Sequence, residues 1–519
     1  MKKYLLLFML CPVATMFAQV PEDAVRLSWY PQNASARTLA IGGAMGSLGG
    51  DISALYVNPA GLGFYKTREV VFTPGMYLNN LKAGYRGTNT KSKENSFAFG
   101  PSGIVVGSPD RYNARNSHAF SIAISQTANF KNVIRYNGLN NFSSYSEQFA
   151  EEFAKSGLSI DQVLNTQSAL PYTSALALQT YLIDTVRVGN AVQVRSAPEN
   201  ILDAGQALRQ EMIKTTSGGI YELAIGGAYN EGDKWFFGGT LGIPIMNYRS
   251  NTNFSESDTS NNKMNGFSSF TYNDYFETSG VGVNAKLGVI YRPQDYIRIG
   301  LAVHTPSAFL LTDERTANLT TNLESPSGNP EKFSESSKLF TNGQPGSAEY
   351  QQQSAWRAIL SGSYVFREIE NVKKQKGFVT ADVEYVNHRS GRFSSAEGSE
   401  NVTESEKNYY KSLNNVVKDI YKGAFNFRLG AEVKFNIVMA RLGFAYYSNP
   451  YKDLGFKANR AVASAGLGYR HKGVFIDLTY AHQFSKDANF PYRLEDRANT
   501  FATTRQNLGN VMATVGFKF

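Results

Sequence analysis

The residues of this sequence that could bind a ligand are charged side chains that alternate with apolar ones. Arg298, Arg428 and Arg441, together with Lys434, stand at every second position of segments whose other positions are apolar. A guanidinium group at such a place could bind the carboxylate of a small molecule. Acidic residues occupy similar positions, so the alternative is that the two signs pair with each other. These acidic residues are Glu222, Asp382, Glu384, Glu432 and Asp477.

Other residue types with catalytic potential lack the necessary spacing. The glycine-rich stretch from Gly43 to Gly50 has no lysine of the kind that a phosphate-binding loop requires. The histidines fall on separate predicted strands or turns without metal-ligand spacing; they are His118, His304, His388, His471 and His482. We therefore expect no catalytic residue, no metal, no cofactor and no enzyme activity.

The C-terminal segment indicates that the alternating segments are β-strands. From Val511 to Phe519 every second residue is apolar, those between are mostly small or polar, and the sequence ends on the aromatic Phe519. A closing strand with one apolar and one polar face is typical of an outer-membrane β-barrel. This strand also predicts the barrel-assembly machinery as a partner.

The N-terminal segment is typical of a secretory signal peptide. Lys2 and Lys3 precede an apolar run, and the small residue Ala18 stands at the expected cleavage point. The run is too short for a membrane-spanning helix. Cys11, the one cysteine, lies inside it, so we expect a mature chain without disulfides. The predicted signal peptide covers residues 1–18.

The composition also fits a barrel. The 519 residues include 34 Phe, 30 Tyr and 46 Gly, and aromatic residues make up 13% of the chain. Because only every second residue of a barrel strand faces lipid, such a composition suits a barrel. The alternative is a large soluble secreted β-protein. The net charge of +9 is scattered along the sequence, so we expect no nucleic-acid binding.

Alternating segments follow one another as hairpins in the second half of the sequence. Residues 281–291 carry apolar side chains at odd positions, and residues 297–303 do the same after a short turn. The pattern recurs in 427–435, 438–446 and 474–480. A soluble sandwich alternates in the same way. The signal peptide and the terminal aromatic residue favour apolar faces that point outward into lipid.

We predict a transmembrane antiparallel β-barrel of about 14 strands, with short periplasmic turns that alternate with long outer loops. The fold class is all-β, and the location is the outer membrane of a Gram-negative bacterium. The predicted strands are 69–78, 96–107, 118–130, 219–229, 235–249, 270–291, 296–305, 354–366, 377–389, 425–435, 437–447, 460–470, 473–484 and 506–519.

The long outer loops differ in character. The connection 131–218 is too long to lack structure, and the spacing of apolar residues predicts helices at 146–155 and 200–213. We expect these helices to form an extracellular cap over the barrel mouth. Loops 312–350 and 390–408 are rich in polar residues and glycine, so we predict that they are solvated.

Residues 34–63 read neither as a strand nor as a linker, because small residues that permit close packing dominate them. About fifty mature residues precede the first predicted strand, enough to fold into a barrel lumen. Two motifs stand out in this segment: Gly50-Asp51-Ile52-Ser53-Ala54 and Asn58-Pro59-Ala60-Gly61-Leu62.

These motifs resemble the N-terminal hatch of the FadL/TodX family of outer-membrane transporters for hydrophobic compounds. The resemblance implies a barrel at 68–519 whose lumen is plugged by a hatch at 19–67, with 131–218 as a long helical extracellular loop. It also implies which residues form the hatch motif: Gly50, Asp51, Ser53, Asn58, Pro59, Ala60 and Gly61. The alternative for Asn58-Pro59 is a simple turn signal.

The resemblance further implies sideways release of the cargo through a gap near a kinked strand. Gly100, Pro101 and Gly103 interrupt the second predicted strand, and proline cannot donate to a sheet ladder. They are the first candidate for this lateral gate, and residues 127–129 are the second. The alternative is a plain β-bulge.

The sequence therefore predicts a protein that carries hydrophobic compounds, such as long-chain fatty acids, by hatch-gated passive diffusion through the outer membrane. Arg298, Arg428 and Arg441 are the predicted contacts of a ligand carboxylate, and outer-membrane lipid surrounds the barrel. One alternative is a barrel of the same fold that serves as a protein-interaction platform or a secretion or assembly accessory. An ordinary porin is the other alternative, against which an occluding hatch argues.

Overall fold

The chain folds into a closed antiparallel barrel of 14 strands. The structure is a computed structural model that describes residues 21–189, 191–324, 330–366, 376–396, 402–453 and 458–519. The barrel closes because the first strand pairs with the last, with Glu69 opposite Lys518 and Gly84 opposite Thr503. The predicted signal peptide, residues 1–18, lies outside the described residues.

The barrel strands are numbered here in chain order, and interrupted strands have two segments. They are β1 (Arg68–Phe72, Pro74–Tyr85), β2 (Thr88–Phe99, Ser102–Pro109), β3 (Ser117–Asn129, Asn132–Asn140), β4 (Leu208–Glu231), β5 (Trp235–Asp258), β6 (Ser269–Gln294), β7 (Ile297–His304, Ala308–Glu324), β8 (Gly346–Gln353, Arg357–Phe366), β9 (Gly377–Asn387, Arg392–Ser395), β10 (Gly423–Phe435), β11 (Val438–Tyr447), β12 (Arg460–His471), β13 (Val474–Asn489) and β14 (Ala502–Lys518).

The helices lie in the lumen and in the extracellular cap. They are α1 (Pro21–Arg26), α2 (Ala36–Ala40), α3 (Ser146–Ser156), α4 (Ile160–Val163), α5 (Ser174–Gln179), α6 (Glu199–Asp203) and α7 (Glu404–Ile420), with short 3₁₀ turns at Ile52–Tyr56, Pro59–Phe64, Ser337–Phe340 and His388–Ser390. Within the described ranges, we find no helix of the length and apolarity that a membrane crossing demands. Two further hairpin elements, Ile183–Val188 with Ala191–Ser196 and Pro330–Ser336 against β7, complete the cap.

Apolar side chains point out of the barrel, as the alternation predicts. Leu287 and Leu442 are 66% and 68% exposed, whereas their inward neighbours Lys286 and Arg441 are 6% and 2% exposed. An apolar outside around a polar inside is stable in lipid and unstable in water. The molecule is therefore a β-barrel of the outer-membrane type, and the soluble alternative is wrong.

The extracellular ends of the strands run much further than predicted. β5 continues to Asp258 and β6 begins at Ser269, so half of the connection 250–269 between two predicted strands is a ladder. The predicted loop 312–350 likewise contains parts of β7 and β8. Outside the membrane no strand face contacts lipid, so neither face has to be apolar. The backbone pairing continues there, but the alternation that identifies a strand in the sequence is lost.

The cap confirms one predicted helix and corrects another. α3 covers the helix predicted at 146–155. The helix predicted at 200–213 is wrong beyond Asp203: α6 ends there, Gly205 adopts a φ of +73°, and Leu208 starts β4 opposite Asn140. Because β3 resumes at 132, the loop predicted at 131–218 shortens to 141–207. The 390–408 region, predicted as a solvated loop, contains a segment of β9 and the start of α7.

The N-terminal segment lies inside the barrel, against inward side chains of the wall. Residues 34–63 are buried almost throughout. Ile52, Leu55 and Leu62 pack against the inward side chains of Val105 and Ala224, which form one apolar cluster with them. Packing of this kind places the two sequence motifs against the inner wall of the barrel.

Candidate functional site

The Asn58-Pro59 motif is held between the hatch and the barrel wall. Asn58 Oδ1 accepts a hydrogen bond from Ala60 N (3.1 Å) and so caps the 3₁₀ turn Pro59–Phe64. Its Nδ2 donates to Gly46 O at 2.6 Å and faces Val289 O and Leu301 O of the wall at 3.4 Å. Asn58 thus links two parts of the hatch to strands β6 and β7.

The other motif closes the hatch upon itself. Asp51 caps the turn Ile52–Tyr56 by accepting from Ser53 N (2.9 Å), and its two oxygens accept from Ser35 Oγ at 2.9 and 2.8 Å. Gly50 N donates to Gly61 O (3.0 Å). Gly50 has a φ of +66°, a left-handed conformation that glycine adopts without strain. The predicted motif residues are therefore joined in one hydrogen-bonded unit.

Inward polar side chains of the wall bind the backbone of the hatch. Asp382 Oδ2 accepts from Met45 N and Gly46 N, both at 3.1 Å. Arg298 Nη1 donates to Leu48 O (2.6 Å), and His304 Nε2 donates to Val57 O (2.8 Å). The backbone groups of this irregular segment are thereby satisfied in the absence of regular secondary structure.

Two further arginines lie in ion pairs of the inner wall. Arg428 Nη2 is 2.7 Å from Glu384 Oε2, and Arg441 Nε is 2.6 Å from Glu432 Oε2. Arg441 also pairs with Asp477. All of these side chains are buried. The structure therefore brings the predicted acidic and basic residues together, and the ligand-carboxylate role of Arg298, Arg428 and Arg441 stays a prediction.

A cavity of about 1940 Å³ lies above the hatch. Its floor is apolar, formed by Leu39 of α2 with Val462, Ala481 and Leu508 of the wall. Its walls are rich in aromatic side chains: Trp29, Tyr30, Tyr77, Phe130, Tyr248, Tyr421, Tyr447, Tyr451 and Phe490. Arg298, Arg428 and Arg441 are not among the described residues that line it.

Arg460 is one of the cationic side chains that line this cavity, beside Arg26, Lys131, Lys452 and Arg493. Its Cζ atom lies 3.6 Å from the centroid of the Trp29 ring, and its Nη1 donates to Trp29 O (3.2 Å). The sequence reasoning missed Arg460. The signal was present, because Arg460 precedes Val462 and Ser464 on the face that alternation places inside the barrel.

The barrel wall has a gap beside this cavity. The lower segment of β2 pairs with β3 from Ser102–Ile124 to Pro109–Ser117. Among the described residues, no ladder joins the upper segment, Thr88–Phe99, to β3. Side chains bridge the two strands there: Asn129 Nδ2 donates to Ser96 Oγ (3.2 Å), and Lys131 pairs with Glu94 at 2.9 Å.

Both predicted kink regions border this gap. Gly100, Pro101 and Gly103 lie at the break of β2, where an added Cβ on Gly100 would come within 2.5 Å of Thr73 Cγ2. The pairing of β3 shifts between Gln126 and Ala128. Residues 127–132 line the cavity, so the cavity reaches the gap. Their role as a lateral gate stays a prediction.

The fold and the filled lumen define a plugged 14-stranded barrel of the outer-membrane type. No protein-family model and no curated protein matches the chain. Solved structures do match it. A Pseudomonas aeruginosa FadL homologue is 14% identical, covers 93% of this chain and 98% of its own, and has a TM-score of 0.52. The Pseudomonas putida toluene transporter TodX is 13% identical, covers 94% and 99%, and has a TM-score of 0.51. The chain therefore has the fold of the FadL/TodX barrels, as the resemblance predicted.

Proposed function

We propose that this barrel carries hydrophobic small molecules from the outside into the outer membrane. The observation that carries the proposal is the continuity of one cavity. It touches the extracellular elements at Tyr421 and Tyr451, the hatch at Leu39, and the wall gap at Asn129 and Phe130. A molecule in the cavity thus has the extracellular side above it, a plug below it and a thinly bridged wall beside it.

Burial of apolar surface supplies the driving force for entry. Each CH₂ group that leaves water for the apolar floor around Val462 and Ala481 contributes about 0.8 kcal/mol. A passive route suits this energetics, because the membrane interior is also apolar and accepts the cargo downhill. The toluene transporter of the same fold supports hydrophobic compounds as the class of cargo.

Within this class we propose long-chain fatty acids. An acyl chain would lie on the floor at Leu39, Val462 and Ala481, and its carboxylate would face Arg460 across the aromatic lining. This assignment moves the head-group contact from Arg298, Arg428 and Arg441, which lie around the hatch, to a cation that lines the cavity.

The hatch directs the cargo sideways in this proposal. Asn58 and Asp382 hold the plug against the wall, so a straight path to the periplasm is filled by residues 34–63. The gap between Thr88–Phe99 and β3 has side-chain bridges in place of a backbone ladder, and side-chain bridges separate more readily than a ladder does. We assign the lateral gate to this gap, with Gly100, Pro101 and Gly103 as the bend that ends the ladder.

A second candidate function is a protein-interaction platform or an accessory of secretion or assembly. The observation in its favour is the large folded cap, in which α3, α5 and the strand extensions share one hydrophobic core. Phe519, which is 69% exposed at the end of β14, suits the proposed contact with the barrel-assembly machinery in either case.

A cavity-filling pair of variants tests the transport proposal. Ala481→Trp places an indole on the cavity floor and should abolish most of the uptake of a radiolabelled fatty acid by cells that depend on this barrel. Ala463→Trp adds the same volume to an exposed position on the outer face and should leave uptake unchanged. Native mass spectrometry of gently extracted protein should show bound lipid. A stoichiometric partner protein without lipid, together with equal uptake by both variants, would instead establish the platform.

A further inference from the structure

We propose that residues 490–501, here called the strap, form a lid over the cavity that is closed in acid and opens as the external pH rises above neutrality. The inference rests on the proposed function in one respect, namely that the cavity is the entry path. The strap joins β13 to β14 on the extracellular side. Phe490, Arg493 and Asn499 of the strap line the cavity, so its position controls access from above.

Several polar contacts fasten the strap to the helix α3. Glu151 Oε2 accepts from Glu495 N (2.8 Å), and Gln148 Oε1 accepts from Arg493 N (2.9 Å). Lys155 pairs with Glu495 at 2.9 Å. These contacts are exposed, and each exposed ion pair contributes only about 0–1 kcal/mol. A displacement of α3 would therefore remove these contacts from the strap.

One buried side chain also anchors the strap. Tyr492 is 3% exposed, and its hydroxyl accepts from Asn140 Nδ2 (3.0 Å) and donates to Ser143 O (2.9 Å). Asn140 ends β3, and Ser143 lies in the turn that leads into α3. The anchor thus depends on the same turn that positions the helix.

Two carboxyl groups hold that turn. Glu256, at the extracellular end of β5, accepts from Ser144 Oγ and from Tyr145 N (2.8 Å). Gln210 Nε2 also donates to it (2.7 Å). Glu147 of α3 accepts from Ser144 N (2.7 Å). Glu256 is 1% exposed, and these hydrogen-bond donors to it are all neutral.

Burial gives both groups an unusual titration. Burial raises the pKa of Glu256 to about 7, although its hydrogen-bond donors favour the charged form. Burial also raises the pKa of Glu147 to about 7, although Arg497 lies 3.2 Å away. The ordinary value of each is 4.5. The closed lid therefore binds more protons than the open one. Its closure is fully stabilised below pH 4.5 and is lost as the pH rises through about 7.

Other ionisable groups around the two carboxyl groups do not reverse the pH dependence of closure. Arg497 is the one cation that the described contacts place on Glu147, and it leaves Glu256 uncompensated. The ionisable groups that face the pair from the strap, α3, α6 and β1 are Tyr492, Arg497, Glu151, Glu199 and Tyr85. Further acidic groups add repulsion when Glu147 and Glu256 ionise.

A distance measurement across the cavity mouth tests the lid. Spin labels at Ala498→Cys on the strap and Lys418→Cys on α7 report the separation in lipid vesicles by pulsed electron resonance. We expect one short distance at about pH 5.5 and a second, longer one at about pH 8.5, with the open-to-closed ratio raised at least about tenfold. Glu256→Gln should keep the short distance at both pH values, and Glu147→Gln serves if that variant fails to fold.

The control is Glu331→Gln, an exposed carboxylate of the cap hairpin, which should retain the full response to pH. An unchanged distance in the unmutated barrel, or opening that persists in both glutamine variants, overturns the lid. This readout is independent of transport. A barrel that opens with pH but takes up no fatty acid would contradict the proposed function and leave the lid standing.

Discussion

An added Cβ atom on Gly288 would lie 1.8 Å from Oδ1 of Asn58. The glycine is on the inner face of β6, and the asparagine begins the second motif of the hatch, Asn58-Pro59-Ala60-Gly61-Leu62. On the neighbouring strand β5, a Cβ on Gly238 would lie 2.3 Å from the carbonyl carbon of Pro59. At both positions the wall has no side chain, and the motif packs directly against the strand backbone. A side chain on either glycine would therefore overlap with the hatch.

The first prediction follows from this contact. Gly288→Ala should displace the hatch from the wall, at a cost of about 1–3 kcal/mol for overpacking. Single-channel recordings in planar bilayers should show ion conductance that the parent barrel lacks, and the melting temperature should fall. Gly362→Ala is the matched control, because a Cβ there meets no atom within 4 Å. Equal conductance and melting temperature in the two variants would mean that the hatch does not depend on this contact.

The second prediction concerns the ion triad of the inner wall. Arg441→Ala removes the cation between the buried carboxylates of Glu432 and Asp477 and leaves Glu432 only the more distant Arg37 at 3.9 Å, which should lower the free energy of unfolding by about 3–5 kcal/mol. Urea unfolding followed by tryptophan fluorescence measures the change.

Its control is Lys407→Ala, which removes an exposed partner of Glu404 in α7. The loss there should stay within about 1 kcal/mol. A similar loss in both variants would show that the triad contributes no more than a surface pair.

The sequence predicted the membrane part of this fold because lipid imposes a rule on it. Leu287 and Lys286 differ in exposure as the alternation requires, and Arg441 meets Glu432 and Asp477 because all three stand on inward positions. The hatch was recognisable for a different reason. Its capping residues Asp51 and Asn58 stand in a specific spacing with glycine and proline in this sequence.

The cavity and the cap could not be predicted from the sequence by these patterns. Trp29 and Arg460 are 431 positions apart, and only the closed barrel and the threaded N-terminal segment bring them together. The strand extension that ends at Asp258 is polar except for Phe254, so no apolar periodicity marks it in the sequence. α7 is amphipathic, but its polar flanks resemble a solvated loop.

The third prediction concerns the gap between β2 and β3. A disulfide between Ser96→Cys and Asn129→Cys, whose side chains are in contact at 3.2 Å, should lock the gap and stop fatty-acid uptake under oxidising conditions. Reduction with dithiothreitol should restore it. Cys11, the one native cysteine, lies in the predicted signal peptide and does not interfere.

The control is the double variant Ser96→Ala with Asn129→Ala, which should keep fatty-acid uptake under oxidising and reducing conditions. Undiminished uptake by the oxidised protein, with the disulfide verified by mass spectrometry, would place the exit elsewhere.

The fourth prediction separates fatty acids from neutral hydrocarbons as cargo. Arg460 is the cation beside Trp29 in the cavity, so Arg460→Gln should weaken the binding of a long-chain fatty acid but not of the alcohol of equal length. A charged hydrogen bond contributes about 1.5–3 kcal/mol, which corresponds to a loss of about tenfold to a hundredfold in affinity. Displacement of a fluorescent fatty acid from the purified barrel measures both ligands.

Arg428→Gln provides the contrast, because Arg428 pairs with Glu384 beside the hatch and lies outside the lining of the cavity. Loss of carboxylate preference in Arg428→Gln but not in Arg460→Gln would return the head-group site to the arginines that the sequence first indicated. Equal binding of acid and alcohol by the parent barrel would exclude a fatty-acid site in this cavity and favour a neutral cargo.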